Sequence, residues 1–504
     1  PGPPAAAGVA AALAGLGTAE LAAAVLAPAG SPILAVGALV IDLAPAWLKE
    51  LVITLFGTAD KVVLVICVAL GAVVVAAAAG VLEYRRPPIG RVLVAVAGAL
   101  AVFAVLSREN TATFDATPAV LAMVVSAVLL TVLITQLRRT PVGAAASAPD
   151  RRRFLAWAGA GAALGVLAAA GGQLISAGVR ATDAARARFT LPAAAVPGAP
   201  IPAGAELDIP GLAPLITPNT EFYRIDTALQ VPRIDPATWT LKITGMVEEE
   251  VEIGFAELLA LPLEESTTTL TCVSNAVGGD LIGNATWLGY PIRLLLAQAR
   301  PLSGADMVLS RSEDGWTAST PLEVLTDDRN AILAVGMNGE PLPLEHGYPV
   351  RMVVPGLYGY VSATKWVVEL NVTRFDQAAA YWTTRGWTAQ GPVKLSARID
   401  VPRRNADVAA GPVTVAGVAW SQHVGIRSVQ VQVDDGAWND ATLADAISAD
   451  TWRQWSWVWP AAPAGRHTLR VRATDAAGLV QTSVRRDVIP DGATGLHDIP
   501  VTVA

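Results

Sequence analysis

At 504 residues, with 53% hydrophobic and only 16% charged residues and a mean hydropathy of +0.46, the chain is too apolar for an ordinary soluble enzyme. A net charge of −7 and a sequence pI near 5.3 leave no basic stripe to neutralise phosphates, which excludes a nucleic-acid partner. The apolar excess is confined to residues 1–180, rich in Ala, Val, Leu and Gly; from about 185 the composition is that of globular domains.

Five runs, near 8–27, 60–82, 91–107, 117–137 and 154–178, are apolar enough and long enough to cross about 30 Å of hydrocarbon and are read as membrane helices in contact with lipid. The stretch 31–59 is interrupted by Asp42, Pro45, Lys49 and Glu50 around Trp47, and reads as interfacial or re-entrant. Arg85, Arg86 and Arg91 fall between the second and third spans, and Arg138, Arg139 and Arg151 to Arg153 between the fourth and fifth. The bias of positive charge towards the cytoplasm places both connections inside. Everything after residue 180 then faces the periplasmic or extracellular side of the cytoplasmic membrane. Arg151-Arg152-Arg153-Phe154-Leu155 with its Ala/Gly-rich continuation resembles a twin-arginine export signal, a route for folded domains; an ordinary basic flank accounts for the same residues equally well. Nothing there reads as a cleavage site, so the helix is kept as an anchor. All four histidines, His346, His423, His467 and His497, lie after residue 180, so the helices carry no histidine pair for haem.

Residues 181–217 are rich in proline and read as a linker. Between 218 and 387, strand-like runs (Thr240 to Ile243, Met307 to Ser310, Val350 to Val354) alternate with short helical ones (Gly254 to Ala260, Pro291 to Ala299), which predicts an α+β domain. From 388 to 504 only strand signals remain, at Val413 to Ala419, Val429 to Val433, Thr451 to Trp459 and Thr468 to Thr474, separated by Asp-Gly, Pro and Gly turns. They predict an immunoglobulin-like sandwich. Within this exported part Cys272 is the single cysteine, because Cys67 lies in an apolar run. A lone thiol outside the cell is either buried as a small apolar residue or used as a soft metal ligand, and both readings stay open on that residue alone.

A family resemblance rests on motifs in order: Thr217-Pro218-Asn219-Thr220-Glu221-Phe222-Tyr223-Arg224, Leu270-Thr271-Cys272-Val273-Ser274-Asn275, Asn284-Ala285-Thr286-Trp287-Leu288-Gly289-Tyr290-Pro291, Asp314-Gly315-Trp316, His346-Gly347-Tyr348-Pro349-Val350-Arg351 and Val354-Pro355-Gly356-Leu357-Tyr358-Gly359 through Lys365-Trp366. Together they resemble the sulfite oxidase family of molybdopterin oxidoreductases over about 218–490. The resemblance leaves the membrane part unexplained; it implies an α+β molybdopterin domain and an all-β immunoglobulin-like domain that in relatives forms a homodimer contact, which with the helical transmembrane bundle read above makes a multi-domain chain. It implies Cys272 as the molybdenum ligand, and Asn219, Phe222, Tyr223, Ser312, Asp314, His346, Arg351, Ser362 and Lys365 as contacts of the pterin and its phosphate. Trp287, Tyr381, Trp382 and Arg385 are the candidates for lining a substrate pocket, with ordinary core packing accounting for the aromatics at least as well. Ala276-Val277 after Asn275 depart from the arginine-bearing pattern of true sulfite oxidases and weaken sulfite as the substrate.

The cofactor implied is molybdenum-molybdopterin, without haem or an iron-sulfur cluster, since neither a Cys-x-x-Cys-His motif nor a cysteine cluster is present. Electrons therefore pass to or from an external cytochrome, quinone or respiratory complex, while a small sulfur- or nitrogen-containing substrate exchanges an oxygen atom. The rival expectation is a non-catalytic accessory subunit of a membrane respiratory assembly. Retention of Cys272, Asn219, His346, Arg351 and Lys365 speaks against it.

Overall fold

The computed structural model describes residues 2–27, 30–45, 48, 51–52, 55–56, 60–108, 112–139, 159, 163 and 177–504. They form two compact units, residues 1–183 with 226–231, and residues 184–225 with 232–504.

The first unit is built from α1 (Gly2–Leu26), α2 (Pro32–Leu43), α3 (Asp60–Arg85), α4 (Ile89–Leu106) and α5 (Thr117–Arg139). Among the described residues, four helices, α1, α3, α4 and α5, are long and apolar enough to cross a membrane; α2, at 12 residues, is not. The run 154–178 and the arginines before it fall, apart from isolated positions, outside the described residues. Small residues let the helices meet closely: a Cβ on Gly8 would stand 1.9 Å from the Ala76 carbonyl oxygen, and one on Gly80 2.0 Å from that of Pro4. Such backbone contact is how helices pack where lipid removes the hydrophobic drive between them. At one end, buried Glu83 of α3 takes Arg91 Nε at 2.8 Å, and Arg138 of α5 donates to the Glu83 carbonyl at 3.1 Å. Arg91 and Arg138, one from each of the two arginine groups read as facing one side of a membrane, thus reach the same end of this unit. Asp226, in the short excursion that joins it, forms an ion pair with Lys61.

In the second unit, β1 (Thr240–Gly245) and β10 (Val367–Thr373) pair in parallel at the centre of a sheet ordered β2-β1-β10-β5-β6, with β2 Val251–Gly254, β5 Met307–Ser312 and β6 Thr317–Pro321. A second sheet runs β3 (Glu264–Thr271), β4 (Ile282–Pro291), β7 (Ile332–Met337) and β8 (Glu340–Pro341), with β9 (Arg351–Val353) also on β7. Every residue of β7 is buried, as expected of an unbroken apolar run covered on both faces. Short helices Phe255–Ala260 and Ile292–Ala299 pack Phe255, Leu258, Ile292, Leu295 and Leu296 into the same core.

The C-terminal part is a two-sheet sandwich: β11 (Ser396–Val401), β13 (Gly411–Trp420), β17 (Arg453–Ala462) and β16 (Thr442–Leu443) on one side, β12 (Asp407–Val408), β19 (His497–Val503), β18 (Gly465–Asp475), β14 (Ile426–Val433) and β15 (Trp438–Asp440) on the other. Val415, Val429, Val431, Trp455, Leu469 and Val471 fill the space between; burial alternates along β18, whereas β13 is buried throughout Val415 to Trp420.

The segment read as a linker differs from a solvated spacer in two ways. A helix, Ala177–Arg188, runs into it, and Arg186 donates to the carbonyls of Leu342 at 2.8 Å and Pro341 at 3.0 Å. Further on, Ala205 and Leu215 are buried with Val418, Trp420 and Trp452, and the Trp452 indole donates to the Leu215 carbonyl at 2.9 Å. Proline suppresses regular structure there but does not prevent apolar side chains from being buried.

Candidate active site

Cys272 opens the connection between β3 and β4. Its N–H donates to the Leu281 carbonyl at 3.0 Å and closes the loop base; the Asn275 N–H returns to the Cys272 carbonyl at 3.1 Å, and the Asn275 side-chain oxygen accepts from Leu281 N–H at 3.0 Å. Asn275 is therefore the staple of this loop. The Cys272 residue is partly exposed.

Around it the structure gathers Tyr223, Tyr358 and Arg351. The protein packed around Tyr223 raises its phenol pKa, with Cys272 adding to the rise and Arg351 opposing it. Tyr358 is pushed up by burial as well, and Cys272 contributes there too. Both phenols hold their protons at neutral pH. Arg351, only 5% exposed, donates to the carbonyls of Met352 at 3.3 Å and His346 at 3.2 Å, and its guanidinium lies over the Trp287 ring at 5.0 Å. Burial pulls it down to about 10. Among the described residues no carboxylate pairs with it.

Arg351 also forms an isolated antiparallel bridge with Lys365. Like charges on directly opposite residues repel. Gly347, at φ +110°, makes room for the pair: a Cβ there would meet Arg351 Cβ at 2.9 Å and Lys365 Cβ at 3.2 Å. Lys365 Nζ donates to the Glu345 carbonyl at 3.1 Å. His346 sits in the same corner, its Nε2 3.2 Å from the Asn219 carbonyl. Burial first, and then the charges of Arg351, Lys365 and Arg224, push its pKa down to about 3. It is neutral at physiological pH.

The depressed His346 makes stability pH-dependent. Between about 3 and 6.5 the unfolded chain binds a proton that the folded chain refuses, so the stabilisation is complete above about 6.5 and is lost as pH falls, by about 1.4 kcal/mol per pH unit. His497, pushed down to about 4 by burial and by Arg398, acts in the same direction. His346→Gln is expected to reduce the drop in thermal midpoint between pH 7.5 and pH 5 by about half, leaving the remainder to His497. An unchanged drop would show that His346 does not carry this linkage.

The other expected residues fall as follows. Asn219 turns its amide to the Met337 carbonyl at 3.3 Å and accepts from Asn338 at 2.8 Å, which fixes the turn that precedes Phe222. Phe222 is buried edge-to-face on Trp287 and His346 and acts as a wedge beneath the site. Trp287, expected to line a substrate pocket, is instead fully buried with its indole donating to the Thr268 carbonyl at 3.3 Å; only its ring face serves the site, as the floor under Arg351. Ser362, expected to contact a cofactor, is fully buried and donates back to the carbonyls of Leu357 at 3.3 Å and Tyr358 at 3.0 Å, because the turn before it needs those acceptors satisfied.

Ser312 keeps a buried hydroxyl without a partner at the end of β5, opposite Val367. Asp314 makes the turn beyond it, accepting from Trp316 N–H at 3.2 Å. Tyr381 and Arg385 belong to a second group: the guanidinium lies 3.6 Å from the Tyr381 ring centre, Tyr381 stacks edge-on to Trp382, and Trp382 leads to Trp387 and Tyr360. Sequence reasoning did not single out Tyr358 and Arg224 as site residues, although both lie inside quoted motifs.

No group of three or more His, Cys, Asp or Glu side chains converges on a common point among the described residues. A metal at Cys272 must bring most of its ligands with it, as a metal chelated by an organic cofactor does.

Residues 228–382 match the family described as oxidoreductase molybdopterin binding domain, and residues 396–471 match that described as bacterial Ig domain. Mitochondrial sulfite oxidase of Mus musculus is 30% identical over 288 residues, covering 48% of this chain and 52% of that protein. The Homo sapiens enzyme is 29% identical over 305 residues, with 51% and 55% covered, so the chain spans about half the length of these relatives. YuiH of Bacillus subtilis (strain 168), described as an uncharacterized oxidoreductase, is 31% identical over 174 residues, 34% of this chain and 84% of that one. The crystal structure of the sulfane dehydrogenase SoxCD from Paracoccus pantotrophus shares the fold, with a TM-score of 0.50 and 24% identity over 57% of this chain and 81% of that one. With most of YuiH matched at this identity and the molybdopterin-domain model aligned across the sheets that carry Cys272 and Arg351, the chain belongs to the sulfite oxidase family of molybdopterin-binding oxidoreductases.

Proposed function

We propose that the protein is a membrane-anchored molybdenum-cofactor oxidoreductase that moves an oxygen atom and two electrons to or from a small sulfur- or nitrogen-containing substrate on the outer face of the membrane. The observation that carries the reading is the buried Arg351, bridged to Lys365 and served only by carbonyl oxygens, in the same site as the single thiol of the unit, Cys272. A buried guanidinium that no carboxylate pairs among the described residues is costly unless an anion completes it. A pterin phosphate is such an anion, and the residues present fit it.

When bound, the molybdenum-pterin group supplies two-electron oxygen-atom chemistry that no side chain provides. Arg351 and Lys365 would hold its anionic end, with the Arg351 guanidinium 5.0 Å from the Trp287 ring centre. Neutral His346 offers a ring nitrogen without adding a third positive charge at that point. The unpartnered Ser312 hydroxyl gives one more polar contact. Tyr223 keeps its proton on Oη beside Cys272 and is available there as a hydrogen-bond donor. Cys272 is the protein's ligand to the metal.

The relatives named for sulfite and sulfane favour a sulfur compound as substrate. In the oxidising direction water supplies the oxygen, and two electrons leave to a cytochrome, quinone or respiratory complex. The convergence of Arg91 and Arg138 at one end of the helical unit supports an orientation with that end in the cytoplasm. Protein purified from cells able to make the cofactor should carry close to stoichiometric molybdenum and pterin by elemental and fluorescence analysis. A metal-free, pterin-free preparation from such cells overturns the enzyme reading in favour of an accessory role.

A further inference from the structure

Both flanks of Cys272 are held from the C-terminal sandwich. On the residue before it, Gln422 Nε2 donates to Thr271 Oγ1 at 3.0 Å and to the Thr269 carbonyl at 3.3 Å. The same strand end receives Trp452 N–H on Thr269 Oγ1 at 2.7 Å, and Thr269 N–H goes to the Asp450 carbonyl at 3.0 Å. On the loop after it, Arg398 of β11 donates through Nη1 to the Gly279 carbonyl at 2.9 Å while its Nε meets Asp400 Oδ1 at 2.6 Å; these side chains are only 11% and 10% exposed. His497 of β19 accepts from Ile399 N–H at 3.0 Å and lies against Gly278 so closely that a Cβ there, at φ +79°, would come within 2.2 Å of its Cδ2.

We infer that the sandwich is a positioning element for the Cys272 sulfur, with Arg398 and Gln422 as the positioning residues and His497 as the buttress of the loop. Each contact would be dispensable to a module that served only as a surface for a second copy. Their distribution is specific: the thiol lies between a strand end fixed by two sandwich segments, at Gln422 and at Asp450 to Trp452, and a turn fixed by two others, at Arg398 and His497. Residues that orient a metal ligand from behind tune the metal without touching it. The inference rests on Cys272 as the metal ligand.

The test uses the cofactor-loaded full chain in detergent and reads the thiolate-to-metal charge-transfer absorption together with molybdenum retention after dilution. Cys272→Ser should remove the thiolate contribution to the band. Arg398→Met and Gln422→Leu should each displace the band and release molybdenum about ten-fold faster than wild type, and Arg398→Lys should restore part of both. Val431→Ala, which opens the sandwich core away from the loop, should lower the thermal midpoint and leave the band in place. Wild-type bands in both Arg398→Met and Gln422→Leu overturn the inference, as does an equal displacement in Val431→Ala. If Arg398→Met does not fold, Gln422→Leu alone decides. A wild-type band indifferent to Cys272→Ser overturns the ligand reading itself, a different result from a band that responds to Cys272 and ignores the sandwich.

Discussion

Cys272→Ser is expected to lower turnover by at least about 10³-fold, equivalent to roughly 4 kcal/mol of barrier, with any sulfur- or nitrogen-containing substrate on which the wild-type protein shows oxygen-atom transfer. The substitution changes one atom in a loop whose shape is set by main-chain bonds from Cys272 to Leu281 and Asn275 and by the Asn275 side chain. None of those bonds uses the sulfur, so the thermal midpoint of cofactor-free protein should stay within a few degrees of wild type. A hydroxyl is a harder, far less acidic donor than a thiol and does not replace a soft thiolate on a metal. Folded protein with lost activity is the expected pair of results. Retained activity would mean that the thiol is simply a small side chain in a partly buried loop.

Arg351→Met should have opposite effects on the empty and the loaded protein. Without an anion, Arg351 is a buried cation satisfied only by carbonyl oxygens and pulled down to about 10 by its surroundings. Methionine of similar length removes that cost, and cofactor-free Arg351→Met should melt higher than cofactor-free wild type, since apolar replacements of buried charges commonly stabilise by about 1–4 kcal/mol. With the cofactor, the variant loses a charge-assisted contact worth about 1.5–3 kcal/mol, which is roughly a 10- to 150-fold loss of affinity. Thermal melts of protein from cofactor-deficient and cofactor-competent cells, with pterin content measured in parallel, read both signs. A variant that melts lower when empty and retains its pterin would remove Arg351 from the anion site.

Much of this arrangement was legible before any coordinates because the chemistry is local in the chain. Arg351 follows His346 by five residues, and Lys365 returns across a single bridge, so one short segment supplies the whole cationic corner. Ser362 misled for the same reason: it lies in the right segment, but its hydroxyl is consumed by the turn at Leu357 and Tyr358. Trp287 has an aromatic ring suited to a pocket, yet it is a core residue that presents only a face. The sandwich contacts were beyond reach, because Arg398 and Gly279 lie 119 residues apart and Gln422 and Thr271 lie 151 apart, and no periodicity in either segment encodes the other. The segment before Phe222 was misjudged through its prolines, whose effect on hydrogen bonding says nothing about where Ala205 and Leu215 find cover.

The contact between His497 and Gly278 also fixes an order of events during biosynthesis. A chain made from its N-terminus has Cys272 in place long before residues 497–503 exist, yet the loop lacks its last support until β19 is added beside β18. The thiol is therefore held in its final geometry only once residues 497–503 have been made and β19 has closed the sandwich. A metal taken up through Cys272 would then be loaded late, on a domain whose sandwich has closed. A polypeptide held unfolded until residues 497–503 are added would not yet give the loop that final support.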